Sequence, residues 1–308
     1  MRKLIILLIL VLSINNLAAE EQEDAELKNL LLLQASTLPE AKLGYTYMFK
    51  FPFLQGEHPL TSNNNISLFL AAEISPISLN GLFSAVWTPI AFFELSAGGR
   101  IGSGWNIELF GGEIRGIGIN KLNEIDNTAA VDGSAFDGLL WKAFGGGTIQ
   151  FDLAAVVPGD WNHVVAQSYH EINYKGYTRA SKNEAWYFES DDGENRNGFN
   201  YYGNLLIGYQ MPIFFSLIGF LGEMDLYLYD TPGRSAWGDD LIRWTFSNIL
   251  GFTITEQFEI LLITQFRTHR NYKESNWKDL HFTARTLDTS SPLRFEFYRV
   301  AAAFAFKF

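Results

Sequence analysis

Cysteine is absent from all 308 residues. That excludes a disulfide scaffold and a lipid-modified cysteine lipoprotein. Proline is scarce, at nine, and basic residues are outnumbered, 23 against 34 acids, for a formal charge of −11. A pI near 4.9 argues against nucleic acid or anionic lipid head groups as direct partners. Apolar runs are missing too: beyond Leu12 no stretch reaches the ~20 residues of a helical membrane span. Aromatic side chains, by contrast, are abundant, with 26 Phe, 13 Tyr and 8 Trp.

The opening residues stand apart. Met1-Arg2-Lys3 is a short basic region, Leu4 to Leu12 is apolar, and Leu17-Ala18-Ala19 offers a cleavage site. This is the pattern of a secretory signal peptide over residues 1–19, cut near Ala19 and left out of fold reasoning. Its removal takes away Arg2 and Lys3 and no acid, which moves the charge from −11 to −13. Residues 20–40 read as an acidic and helical segment, because Ala25 to Ser36 can form a short helix before Pro39. It would serve the downstream chain as a cap or tether, or as a plug.

From Ala41 to Phe308 the period becomes two, the repeat of a strand. Leu43, Tyr45, Tyr47, Phe49 and Phe51 alternate with Lys42, Gly44, Thr46, Met48 and Lys50. Similar alternation recurs between turns and loops, and the segments number about 12. Ser75-Pro76, Thr88-Pro89, Gly102-Gly104, Val157-Pro158, Met211-Pro212 and Thr255-Glu256 read as turns, and Trp105 to Ile119 as a strand that stumbles at Gly111-Gly112. If Phe308 lies in the periplasm, all these turns except Thr88-Pro89 fall on its side. The long polar loops, Pro52 to Asn64 among them, then fall outside.

The last residues, V-A-A-A-F-A-F-K-F, place Phe304, Phe306 and Phe308 on one face and small or charged residues on the other. This tail resembles the closing strand of bacterial outer-membrane β-barrels. The resemblance covers Ala41 to Phe308 and is to the class, with no single family. It implies an all-β fold: a transmembrane antiparallel β-barrel of about 12 strands, with a short N-terminal helical segment, in the bacterial outer membrane. It also implies that Phe304, Phe306 and Phe308 form the signal read by the barrel-assembly machinery, with outer-membrane lipid as the surrounding partner.

The chemistry depends on the faces. With the greasy positions toward lipid, the inward positions collect Glu94, Arg100, Asp152, Glu223, Asp225, Arg243, Glu259 and Arg267. So many charges of both signs require water or mutual pairing, and rings of charge set selectivity in pores. The expectation is a porin-like channel for passive diffusion of small polar solutes, without cofactor or metal. Two alternatives remain open. Loop aromatics (Trp186, Tyr187, Phe188, Tyr272, Trp277) suit a surface ligand, as in an adhesin or structural barrel without transport. Ser168 and His170, two apart on one strand face, could be nucleophile and base of an acyl hydrolase. Outer-membrane phospholipases carry His-x-Ser-Asn and then Gly, whereas here the order is Ser-x-His. His163 and His170 are seven apart, on opposite faces, and do not share a metal. Asp239-Asp240 is similar to the acid pairs of outer-membrane proteases, without a placeable His-Asp partner. Gly145-Gly146-Gly147 reads as relief of crowding in a strand.

Overall fold

The computed structural model describes residues 26–38, 40–109, 112–189, 191–228 and 236–308. The expected signal peptide and its cleavage site near Ala19 therefore lie outside the described residues. Twelve strands form one closed antiparallel ring. They are β1 (Glu26–Ser36), β2 (Ala41–Pro52), β3 (Asn65–Ser75), β4 (Ser78–Ile90), β5 (Phe93–Gly104), β10 (Leu140–Asp152), β11 (Val164–Tyr177), β13 (Gly198–Gln210), β14 (Phe215–Tyr227), β15 (Arg243–Thr255), β16 (Phe258–Arg270) and β17 (Leu293–Lys307). Five short strands, β6 (Ile107–Leu109), β7 (Gly112–Ile114), β8 (Ile117–Leu122), β9 (Ala129–Asp132) and β12 (Ala185–Phe188), lie in the connections at one end. We call that the loop end, and the end carrying Phe308 the turn end.

The strand count agrees with the sequence reading, but its membership does not. Residues 26–36 form a strand, not a helix: β1 pairs with β17 (Leu33 opposite Phe304) and with β2 (Leu33 opposite Leu43). The four consecutive leucines favour a helix locally. Yet without β1 the barrel would leave β2 and β17 with open edges, and unpaired backbone in hydrocarbon costs several kcal/mol per group. Alternate leucines serve both faces: Leu33 is exposed outward, and Leu30 and Leu32 are buried inside.

Trp105 to Ile119 is not a barrel strand. Its described residues fold back as the β6–β7 hairpin and β8, which pairs with β9 and β12. Glu108 falls on one face of the alternation and Glu113 and Arg115 on the other, so neither face could meet lipid. A charge there costs ~2–4 kcal/mol at the midplane. With that span removed, every strand before it runs opposite to expectation. The connections at Ser75-Pro76 and Gly102-Gly104 therefore lie at the loop end, and residues 53–64 lie at the turn end. Nor does Thr88-Pro89 make a turn. It sits at the end of β4, where the register shifts between Trp87 and Ile90, because a bulge tolerates the missing proline N–H. Ala91-Phe92 makes the turn, at the Phe308 end.

The outside is the apolar side. Leu70, Phe83, Ile101, Ile149, Ile172, Leu205, Phe220 and Leu262 are all exposed on the barrel wall. Aromatics gather at both ends of this belt. Trp141 stacks on Tyr174 near the loop end, with centroids 5.0 Å apart, and Phe258 on Phe306 near the turn end, at 4.4 Å. No helix among the described residues is long and apolar enough to cross a membrane; the strands do so. Inside, Gly146 is required: a Cβ there would come within 2.7 Å of the His170 carbonyl and 2.9 Å of the Tyr169 ring. Deleting residues 26–36 is expected to abolish folding in detergent, seen as loss of the heat-modifiable band on gels. A tether or cap in that position would be dispensable.

Candidate functional site

The interior has two unlike walls. Along β1, β11 and β13 to β17, near the turn end and the waist, Leu30, Leu32, Leu206, Leu221, Ile249 and Ile263 pack into one buried cluster. Across from them, β2 to β5 and β10 contribute polar and charged groups. A cavity of about 390 Å³ at the turn end is lined by Asp160, His163, Gln210, Glu259 and Lys307 among others. A larger one of about 490 Å³ opens at the loop end beside Lys42, Glu189, Asp225, Arg243, Arg267 and Arg299.

The eight expected lumen residues all lie on the inner side but do not make one ring. Glu259 bonds to Lys307 at 2.8 Å and lines the turn-end cavity. Nearby, Asp152 caps a short 3-10 turn and holds His163 Nδ1 at 2.7 Å. Glu94 accepts from Gln150 at 3.3 Å. Farther along, Glu223 is buried and accepts from the Tyr202 hydroxyl at 2.8 Å. Asp225 and Arg243 are cross-strand partners, and Arg243 lies over the Tyr227 ring at 4.2 Å. Arg267 pairs with Glu296 at 2.9 Å. Both polar atoms of Gln34 and of Gln167 are buried with no partner among the described residues. Water or a solute is the available partner, because an unpaired buried amide costs ~1–3 kcal/mol.

One cluster joins wall to loop. Lys42, Glu73 and Arg100, from β2, β3 and β5, are nearly fully buried, and Glu73 lies 3.4 Å from each base. Glu189, just after β12, reaches into this group from the loop end. It was unrecognisable in the sequence, where it is one acid in a polar loop.

The loops above form a packed cap. Arg196 and Asp239 are both fully buried and paired at 2.5 Å. The Arg196 guanidinium also lies over the rings of Trp237 (4.5 Å) and Phe282 (4.8 Å). Glu194 pairs with Arg270 and, at 2.6 Å, with Arg285. Of the aromatics expected to face a surface ligand, Trp186, Tyr187, Phe188 and Tyr272 are buried and Trp277 is half-buried against Tyr272. Asp239 thus ties its own loop to that of Arg196 and to Arg270 at the end of β16. His163 faces Asp152, and His170 lies outside, so the two do not meet.

On the outer face, Ser168 Oγ lies 3.0 Å from His170 Nε2, and His170 Nδ1 lies 2.6 Å from the Tyr201 hydroxyl. Gly147 and Gly203 are the register neighbours of His170 on either side. A Cβ at Gly203 would sit 2.9 Å from the Tyr201 hydroxyl, so glycine there lets the tyrosine reach the imidazole. The three groups satisfy one another within the apolar belt.

A closed strand ring with a greasy exterior, aromatic girdles and charged groups inside is a transmembrane β-barrel of the outer-membrane class. Its fold is similar to that of several solved barrels. They include "KdgM porin" (10% identity, 91% of this chain and 99% of that one, TM-score 0.36). A second is the transport unit of the autotransporter AIDA-I from Escherichia coli (8%, 96% and 97%, 0.37). A third is OmpT, an outer membrane protein of Vibrio cholerae (5%, 94% and 99%, 0.33). No family model and no curated protein matches the chain.

Two titratable groups, Glu194 and His281, are buried in the cap. Burial pushes the Glu194 carboxyl up, but Arg270 and Arg285 outweigh it and hold the group below its ordinary 4.5. Burial holds the His281 imidazole below 6.5, against a hydrogen bond to the Asn120 carbonyl. Both folded-state values are depressed, so each group stabilises the cap fully above its ordinary pKa and loses that contribution as pH falls through the folded value. Protease cleavage of residues 177–198 and 271–292 is expected to accelerate below pH 6.5 for His281 and again below pH 4.5 for Glu194.

Proposed function

We propose that this barrel is a porin-like channel for passive diffusion of small polar solutes, held shut at its loop end by the folded cap. The observation that carries this is the unpartnered amides of Gln34 and Gln167, together with cavities at both mouths. A barrel closed only for structural reasons gains nothing from polar side chains that need water. The apolar wall narrows the path, and the cap limits entry. Phe304, Phe306 and Phe308 would be the signal for the assembly machinery, presented on the closing strand. In planar bilayers, under conditions that loosen the cap, the purified barrel is expected to show stepwise conductance. Ile263→Ala, which trims a fully buried waist residue, should raise the conductance step. A silent barrel under conditions that loosen the cap would rule out transport.

The Ser168–His170–Tyr201 chain supports a second reading, acyl hydrolysis at the lipid surface. Tyr201 can fix the tautomer in which Nδ1 carries the proton and Nε2 accepts from the serine, the arrangement an activated nucleophile needs. Fatty-acid release from phospholipid vesicles that falls ~100-fold or more in Ser168→Ala, with folding intact, would establish it. Equal release by both proteins would remove it.

A further inference from the structure

The contacts of Glu189 converge in an unusual way. A single oxygen, Oε1, accepts from Lys42 Nζ at 2.9 Å, Ser78 Oγ at 2.8 Å, Asn80 Nδ2 at 3.0 Å and Arg100 Nη2 at 3.3 Å. All four donors come from the barrel wall, on β2, β4 and β5, and all are buried. Arg100 is itself steered, its Nε donating to Asn80 Oδ1 at 3.1 Å. The wall thus supplies a donor set built around one anionic oxygen, and the carboxylate arrives from outside it. Charge-assisted bonds of this kind are the strong ones.

Two further features separate cradle from occupant. Lys42, Arg100 and Glu73 together leave the cradle one positive charge in excess, so it requires an anion. Glu189 meets that need with a backbone φ of +55°, in the left-handed region that an ordinary side chain adopts at a cost. Its N–H is anchored to the Gly116 carbonyl at 2.8 Å, so the cap holds the strained residue in place. The loop-end cavity is lined by Lys42 and Glu189, so a solute in that mouth meets the edge of the cradle at Lys42 and reaches the three donors behind it only as Glu189 withdraws.

We infer that the Lys42–Ser78–Asn80–Arg100 cradle is a binding site for the carboxylate of a small solute, and that Glu189 occupies it as a tethered competitor. The inference rests on the channel reading for its physiological use, but the site itself can be tested without conductance. A carboxylate solute that displaces Glu189 releases the strained backbone and loosens the loop following β12. The loop and the solute then bind in mutual exclusion, which makes the site both selective and self-plugging. Even a short flexible tether presents an effective concentration on the order of millimolar, and an anchored residue exceeds it, so a free carboxylate must reach at least that range.

The test uses the full mature barrel folded in detergent and hydrogen exchange across residues 185–197. Propionate at about 50 mM, chosen to exceed that tether concentration, is expected to speed exchange there in the wild-type protein. Isosteric, neutral propionamide should leave it unchanged. Glu189→Gln keeps an acceptor but no charge. It should exchange faster without ligand, and propionate should raise its Tm at roughly ten-fold lower concentration than for wild type. Equal effects of propionate and propionamide on wild-type exchange would overturn the site, and that arm needs no variant to fold. A barrel that conducts but shows no carboxylate-specific loop release loses the site and keeps the channel. A silent barrel with carboxylate-specific release keeps the site and loses the channel.

Discussion

Hydrocarbon offers no hydrogen bonds, and that one condition dictates most of this structure. Each backbone N–H and C=O within the belt must find its partner in a neighbouring strand, and the ring must close because an open edge is untenable. Closure explains β1. Nothing in its leucine-rich sequence demands a strand, but β2 and β17 each present a row of donors and acceptors that only one more strand can satisfy. The same condition accounts for the outer Ser168–His170–Tyr201 chain, whose polar atoms bond to each other within an apolar surface.

The interior faces the complementary problem. Turning apolar side chains outward leaves charged ones inside, and buried charge is tolerable only when matched. The barrel matches it in three ways. Some pairs form along the wall, as Lys307 with Glu259. Others form between loops, as Arg196 with Asp239 and Glu194 with Arg285. In the Lys42–Glu73–Arg100 group, the missing negative charge is carried in by Glu189 on a loop. Cap and lumen are therefore coupled electrostatically, because withdrawing Glu189 leaves one cation of the group unmatched unless another anion takes its place.

Much of the ring was legible because a lipid-facing strand must keep its period of two. Tyr45 and Phe49, Leu205 and Ile207, Phe220 and Leu226 announce their strands in this way. Two segments misled, and their errors cancelled in the count. Glu26–Ser36 was missed because leucines on both faces hide the alternation: one face meets lipid and the other the apolar wall. Trp105 to Ile119 has the length of a span, yet Glu108 and Glu113 lie on opposite faces, a signal in the sequence itself that excludes it. That one extra span reversed every strand upstream. Of the site, the inward charges could be named, but their partners could not, because Lys42 and Glu189 are 147 residues apart.

Outside those two segments the sequence alone determined which side chains face lipid, since alternation is local and hydrocarbon rejects charge wherever it falls. It thereby determined the class of fold and the charged character of the lumen. The tertiary structure decided how the ring closes, which loops fold inward and which acid meets which base. Those outcomes depend on distances across the barrel, and no local period in the chain encodes them.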